Sequence, residues 1–226
     1  MLLSPIAHIR TDFPEKFGIP RQSGLASGLS ACIVFEEGYR SKDALRGLEG
    51  FSHIWLIWEF SANRREASKW QPTVRPPRLG GNGHMGIFAT RSPFRPNPLG
   101  LSCVEIDRID TDANEGPLIW VRGADLMDGT PIYDIKPYIK YADCHPEASC
   151  GYVESLEDRR LEVDIPEPIS KILVDSGKLE ALSAVLALDP RPSYHDDPER
   201  IYGLAFAGFN IRFKVAEGRV TVVEID

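Results

Sequence analysis

Up to about residue 150 the apolar stretches of this chain are short, such as 54–58, and glycine or proline interrupts them every few residues. That punctuation disfavours long helices and leaves room mainly for short strands joined by turns. The β-like runs are 31–35, 54–60, 85–89, 101–109, 118–122 and 132–135. Strands at such spacing predict a barrel or a sandwich, a mainly β fold. One short helix is expected at 42–48, with Ser41 as its N-cap and Gly50 just past its end. After residue 150 the period changes. Ile169, Ile172, Leu173, Leu179, Leu182, Val185 and Leu186 recur at helical steps, with Gly177 as an interruption and Pro190 as a stop. Alternation then returns through Phe209, Ile211, Phe213 and Val215, and Glu217-Gly218 turns the chain into 220–225. The expected organisation is a β domain over 1–150 and a small α+β C-terminal domain over 151–226.

A net charge of −7 speaks against a nucleic-acid partner until its distribution is read. Between Glu66 and Glu105 there is no acidic residue, yet Lys69, Arg75, Arg78, Arg91 and Arg95 fall there. Positive charge gathered in one segment predicts a local anion site. Two stiff loops present it. In ATRSPFRPNPLG, Pro93, Pro96 and Pro98 fix the backbone around Arg91 and Arg95, and VRPPRLGG does the same for Arg75 and Arg78. The planar fork of arginine suits carboxylate or phosphate. Arginines that bond only their own loop's carbonyls would fit the same sequence.

Gly81, Gly83 and Gly86 spell the dinucleotide fingerprint GxGxxG, but Pro76-Pro77 precedes it and a β-like, proline-rich stretch follows. Without a strand before and a helix after, a Rossmann site is rejected. DGTPIYDIKPY opens on the turn Asp128-Gly129, and a regular strand after it would put Thr130, Ile132, Asp134, Lys136 and Tyr138 on one face. An acid, an amine and a phenol in line serve either proton transfer or a salt-bridged sheet surface. Trp55, Trp58 and His53 read as structural residues of a strand. Cys32, Cys103, Cys144 and Cys150 form no CxxC pair, and no metal is expected. The N-terminus shows no basic region followed by a long apolar one, and a soluble, cytoplasmic protein with no membrane segment is expected.

Taken together, PRQSG (20–24), RGLEGFSHIW (46–55), VRPPRLGG (74–81), MGIFATRSPFRPNPLGLS (85–102), DGTPIYDIKPY (128–138) and DPRP (189–192) resemble the TrmO/TsaA family in order and spacing across almost the whole chain. The resemblance implies a homodimeric β-barrel methyltransferase, not a Rossmann one, with a small C-terminal α+β appendage. It implies transfer of methyl from S-adenosylmethionine to N6 of threonylcarbamoyladenosine beside the anticodon of tRNA. By the same resemblance the cofactor pocket takes Pro20, Arg21 and Gln22, then Ser61 and Ala62, Arg91, Leu101, and the turn Asp128, Gly129, Thr130 and Pro131. Where family members often carry a polar pair after the tryptophan-rich strand, this chain has Ser61 and Ala62, which leaves backbone contacts there. Asp134 or Tyr138, with Lys136 assisting, is the expected base. Arg75, Arg78 and Arg95 are expected to hold RNA phosphate, and the appendage to help grip the anticodon loop. A non-catalytic barrel that binds RNA or a nucleotide is the alternative, and a small-molecule methyltransferase is a third reading. Binding of S-adenosylmethionine separates the first two.

Overall fold

The computed structural model describes residues 2–63, 70–76, 79, 83–155, 160–192 and 197–226. Its strands in chain order are β1 (Ala7–Arg10), β2 (Ser30–Phe35), β3 (His53–Glu59), β4 (Thr73–Val74), β5 (Met85–Gly86), β6 (Leu99–Asp110), β7 (Leu118–Arg122), β8 (Thr130–Pro137), β9 (Glu162–Asp164), β10 (Tyr202–Phe206), β11 (Phe209–Ala216) and β12 (Arg219–Ile225). The helices are α1 (Lys140–Asp143), α2 (Glu167–Asp175) and α3 (Leu179–Ala187).

Six strands close an antiparallel barrel in the order β1-β2-β7-β6-β3-β8, with β8 returning to β1. Period-two burial explains the closure. Ala7 and Ile9, Ala31, Ile33 and Phe35, Ile54, Leu56 and Trp58, Ile119 and Val121, and Ile132 all turn into one core. A smaller outer cluster of Cys32, Val34 and Leu118 covers the back of β2 and β7. The fold is thus mainly β and has the barrel that the resemblance implied.

A second core lies in a four-stranded sheet, β10-β11-β12-β9, backed by α2 and α3. Leu173, Leu182, Val185 and Leu186 meet Leu204, Phe206, Ile211, Phe213, Val220 and Val222 there. Gly177, at φ +70, takes the left-handed conformation that ends α2, as the sequence predicts. Both hairpins turn on two positive-φ residues, Ala207-Gly208 and Glu217-Gly218. Phe13, Ala26 and Leu29, from the segment between β1 and β2, are part of this second core.

Several local expectations are corrected. The helix expected at 42–48 is two 3₁₀ turns, Lys42–Leu45 and Leu48–Gly50, because Arg46 is extended and Gly47 sits at φ +89. Ser41 makes no side-chain cap. The strand expected at 85–89 stops at Gly86. The chain then turns over Ile87, whose carbonyl accepts both the Thr90 amide (3.2 Å) and the Thr90 hydroxyl (3.0 Å). On β8 the single face is broken by a bulge. Ile57 pairs with Asp134 but Trp58 pairs with Ile132, so Tyr133 is the extra residue and the inward face changes phase. Thr130 and Ile132 point inward with Trp58, whereas Asp134 and Lys136 share the outer face with Ile57 and Trp55.

Candidate active site at one rim of the barrel

Antiparallel order gathers three long connections at one end of the barrel. β1, β3 and β7 finish there, and β2, β6 and β8 begin there. The connections 11–29, 60–98 and 123–129 therefore start and end at one rim, although they are far apart in sequence. Pro20, Arg21 and Gln22 lie in the first of these segments. Ser61, Ala62 and Arg91 lie in the second, and Asp128 and Gly129 in the third, with Thr130 and Pro131 just below on β8. Leu101 is the third residue of β6.

Hydrogen bonds tie the segments together. Arg91 Nη1 donates to Gln22 Oε1. Lys16 Nζ donates to the Ala62 carbonyl (3.0 Å) and to Asn63 Oδ1 (2.7 Å). Gly24 donates to the Gly123 carbonyl at 2.9 Å. Asp128 Oδ1 accepts from the Thr11 amide (2.9 Å), which fixes an exposed carboxylate at the mouth of the barrel. Thr130 is buried and closes the turn on the Met127 carbonyl (2.7 Å).

One acid at this rim carries no motif signal and is missed by sequence reasoning. Trp58 Nε1 donates to Ser102 Oγ (2.9 Å), and Ser102 Oγ donates to Asp125 Oδ1 (2.6 Å). Burial pushes the Asp125 carboxyl above the ordinary aspartate range. The Ser102 hydroxyl, the charge of Arg91 and the Ser23 amide oppose that shift. Asp125 is thus the half-buried acid on which the segments of Ser23, Arg91 and Ser102 converge. The only sequence hint is an acid set between Ala124 and Leu126, both buried.

The strand candidates lie below the rim. Asp134, Ile57 and Leu101 form one row across the outer face of β8, β3 and β6. Strand spacing puts the two end residues about 10 Å apart. Leu101 is 54% exposed there. Lys136 Nζ pairs with Asp134 Oδ2 at 2.9 Å. Tyr138 is about 26 Å along β8 from Thr130 at strand rise, and packs on Trp55 and His53. Desolvation, then Cys144, pushes its phenol up. Asp134 and Leu101 are brought near each other, and Tyr138 is not brought to the rim.

Of the arginines expected to meet phosphate, Arg75 is exposed and its Nε donates to His84 Nε2 at 3.2 Å. Arg95 is half-buried and its Nη1 donates to the carbonyls of Thr90 (2.8 Å) and Ser92 (3.4 Å), so it stiffens its own loop. Arg78, with Lys69 and Gly81, lies outside the described residues. Among the described residues no three His, Cys, Asp or Glu side chains gather as a metal site. No helix among them is long and apolar enough to cross a membrane.

Residues 8–144 match the tRNA-methyltransferase O N-terminal domain, and residues 159–226 match the TrmO C-terminal domain. The tRNA (adenine(37)-N6)-methyltransferase of Escherichia coli (strain K12) is 38% identical over 228 residues, covering 98% of this chain and 96% of its own length. A putative S-adenosylmethionine-dependent methyltransferase of Pseudomonas aeruginosa is 38% identical over 209 residues, covering 89% of this chain and 87% of its own. The crystal structure of TrmO from Pseudomonas aeruginosa superposes with a TM-score of 0.80 at 28% identity, covering 100% of this chain and 98% of that one.

Proposed function

The chain belongs to the TrmO family, and from that premise we propose how its barrel rim serves the family's reaction. It is an S-adenosylmethionine-dependent methyltransferase that acts on N6 of adenosine 37 in tRNA. The acceptor in this reading is the threonylcarbamoyl form of that adenosine. The observation that carries the site is the meeting of Gln22, Arg91 and Asp125 at one rim.

The donor set there fits a methionyl nucleoside. A guanidinium and an amide, Arg91 and Gln22, suit the α-carboxylate. Arg21 adds a second cation beside them. The carboxylate of Asp128, already held by the Thr11 amide, suits ribose hydroxyls. Backbone at Ser61, Ala62, Gly129 and Pro131 frames the nucleoside, and Leu101 gives an apolar wall. When bound, S-adenosylmethionine supplies a methyl made electrophilic by its sulfonium, so the protein's work is chiefly alignment.

Asp134 stands on the outer face beside the Leu101 row and acts as the proton acceptor. With S-adenosylmethionine held by Gln22, Arg91 and Asp128, N6 would receive the methyl that the sulfonium gives up, and the Asp134 carboxylate would take the N6 proton. Lys136, at 2.9 Å, holds that carboxylate in place. Tyr138 braces Trp55 and His53. Arg75 and Arg78 hold RNA phosphate, while Arg95 stiffens its own loop. The chain works as a homodimer, and the substrate sets the place of work in the cytoplasm. The domains run 1–150 for methyl transfer and 151–226 for the supporting α+β unit.

Calorimetry with S-adenosylmethionine tests the rim. The native chain binds, and Arg91→Ala weakens binding at least about tenfold, the scale of one lost charge-assisted contact. Asp134→Asn keeps cofactor affinity and slows single-turnover transfer. An Arg91→Ala protein with native affinity removes the rim assignment, and an Asp134→Asn protein with the native single-turnover rate removes the base.

A further inference from the structure

The arm formed by β4 and β5 lies on the acid-free segment and carries aromatic rings that methyl transfer does not use. Thr73 pairs with Gly86 and Val74 with Met85, and Arg75 follows opposite His84, to which it is hydrogen-bonded. At the other end of the arm stand Trp70 and Phe88. Their ring centroids are 6.3 Å apart and their planes are inclined by 35°.

Phe88 is 76% exposed and Trp70 41%, whereas Ile87, between Gly86 and Phe88, is 1% exposed. The local backbone sets that contrast. Ile87 donates to the Pro72 carbonyl (2.9 Å), and the Thr90 amide and hydroxyl close the turn behind it. A structured turn therefore holds one apolar side chain, Ile87, inside and the Phe88 ring in water. Exposed aromatic rings on a defined turn mark a contact surface more than a packing accident.

Two features of the arm choose the partner. No acidic side chain lies between Glu66 and Glu105, so the rings sit on a stretch that attracts anions. Trp70 and Arg75 are five residues apart, about 16 Å at strand rise, a span of a few nucleotides. Single-stranded nucleic acid is bound by that combination of a π-face for the base and cations for the flanking phosphates.

We propose that Phe88 and Trp70 form a stacking platform for an unstacked base of the tRNA anticodon loop, with Arg75 beside His84 holding backbone phosphate. This rests on the reading of the chain as a tRNA methyltransferase and adds the surface that orients the loop. Stacking is indifferent to which base is offered, because every base has a π-face. The platform therefore anchors the loop without selecting its sequence.

The test uses the full-length protein and a synthetic anticodon stem-loop, titrated by fluorescence anisotropy at about 50 and 200 mM salt. Phe88→Ala and Trp70→Ala each weaken RNA binding roughly 5- to 100-fold, the range of one lost base–aromatic stack, by the same factor at both salts. Phe88→Tyr restores it. Arg75→Ala lowers the slope of log affinity against log salt by about 1. Affinity for S-adenosylmethionine stays within about twofold throughout, since neither ring belongs to the pocket.

Native RNA affinity in both alanine variants, with the unsubstituted chain binding well, sinks the platform and leaves the tRNA reading standing. An unsubstituted chain that binds no stem-loop sinks both. If Phe88→Ala instead converts a dimer to a monomer by light scattering, the rings belong to a contact between two copies and the proposal is overturned.

Discussion

Gly100→Ala probes the joint between barrel and rim. Gly100 faces the barrel interior on β6, and a Cβ there would stand 2.3 Å from Trp58 Cε2 and 2.4 Å from Cζ2. The indole must retreat about 1.1 Å to reach a 3.4 Å contact. Its Nε1 is the donor to Ser102 Oγ at 2.9 Å, so a retreat away from β6 takes that bond beyond hydrogen-bond range. Overpacking costs about 1–3 kcal/mol, and an orphaned buried donor about 1–3 kcal/mol more. A net loss near 3 kcal/mol lowers Tm by roughly 6–12 °C in a chain of this size. Ser102 also positions Asp125, so affinity for S-adenosylmethionine falls with stability. The assay is a thermal melt followed by calorimetry on the folded protein well below Tm. A Gly100→Ala chain melting within about 2 °C of the parent, with native cofactor affinity, refutes the idea that this close approach sets the Trp58–Ser102–Asp125 chain.

Asp125→Asn separates function from stability. A carboxyl whose folded pKa is raised binds more protons folded than unfolded in the window above the ordinary aspartate value, so stability falls as pH climbs through that window. Asparagine removes that term. Urea titrations near pH 4.5 and 7.5 should show a flatter pH dependence in the variant than in the parent, together with weaker cofactor binding; parallel pH profiles would refute it. Gly18→Ala tests whether the C-terminal unit holds the cofactor segment. Gly18 lies at φ +89, and a Cβ would come 2.2 Å from Leu204 Cδ1, a fully buried side chain. Loss of about 2–4 kcal/mol and weaker cofactor binding are expected, with partial recovery on adding Leu204→Ala; a neutral Gly18→Ala would show that the segment is not seated there. Lys178→Met removes the half-buried ion pair to Asp12 (2.7 Å) and should cost about 1–3 kcal/mol in a urea melt, with no measurable loss counting against that anchor.

Much of the barrel is legible as short β-rich runs, because β2, β3, β6 and β7 alternate or carry β-branched residues that only a closed sheet can bury. The four-residue β1 and the three-residue β9 are too short to show a period and are missed; the five-residue β10 is as long as β7 and turns Tyr202, Leu204 and Phe206 inward, but Gly203 and Ala205 between them give no polar signal, and it is missed too. The bulge at Tyr133 is also invisible in the sequence. Its phenol donates to Glu59 Oε2 (2.6 Å) on the outer side, a cross-strand contact that exists only after β3 and β8 have paired. The candidate cofactor residues are found through their motifs, but their meeting point depends on strand order, which no local pattern encodes. Asp125 shows the limit most clearly. Its surroundings come from β6 and two distant loops, so beyond its apolar neighbours Ala124 and Leu126 the sequence does not show which groups meet it.

The most direct measurement is transfer of labelled methyl from S-adenosylmethionine to tRNA, with the labelled nucleoside identified after digestion and with RNA prepared either carrying or lacking the threonylcarbamoyl group. The account predicts label at N6 of adenosine 37 in the threonylcarbamoyl-bearing RNA, none in the RNA without it, and strongly reduced label with Arg91→Ala. Label on another nucleoside, or no transfer by a folded protein that binds the cofactor, would contradict it.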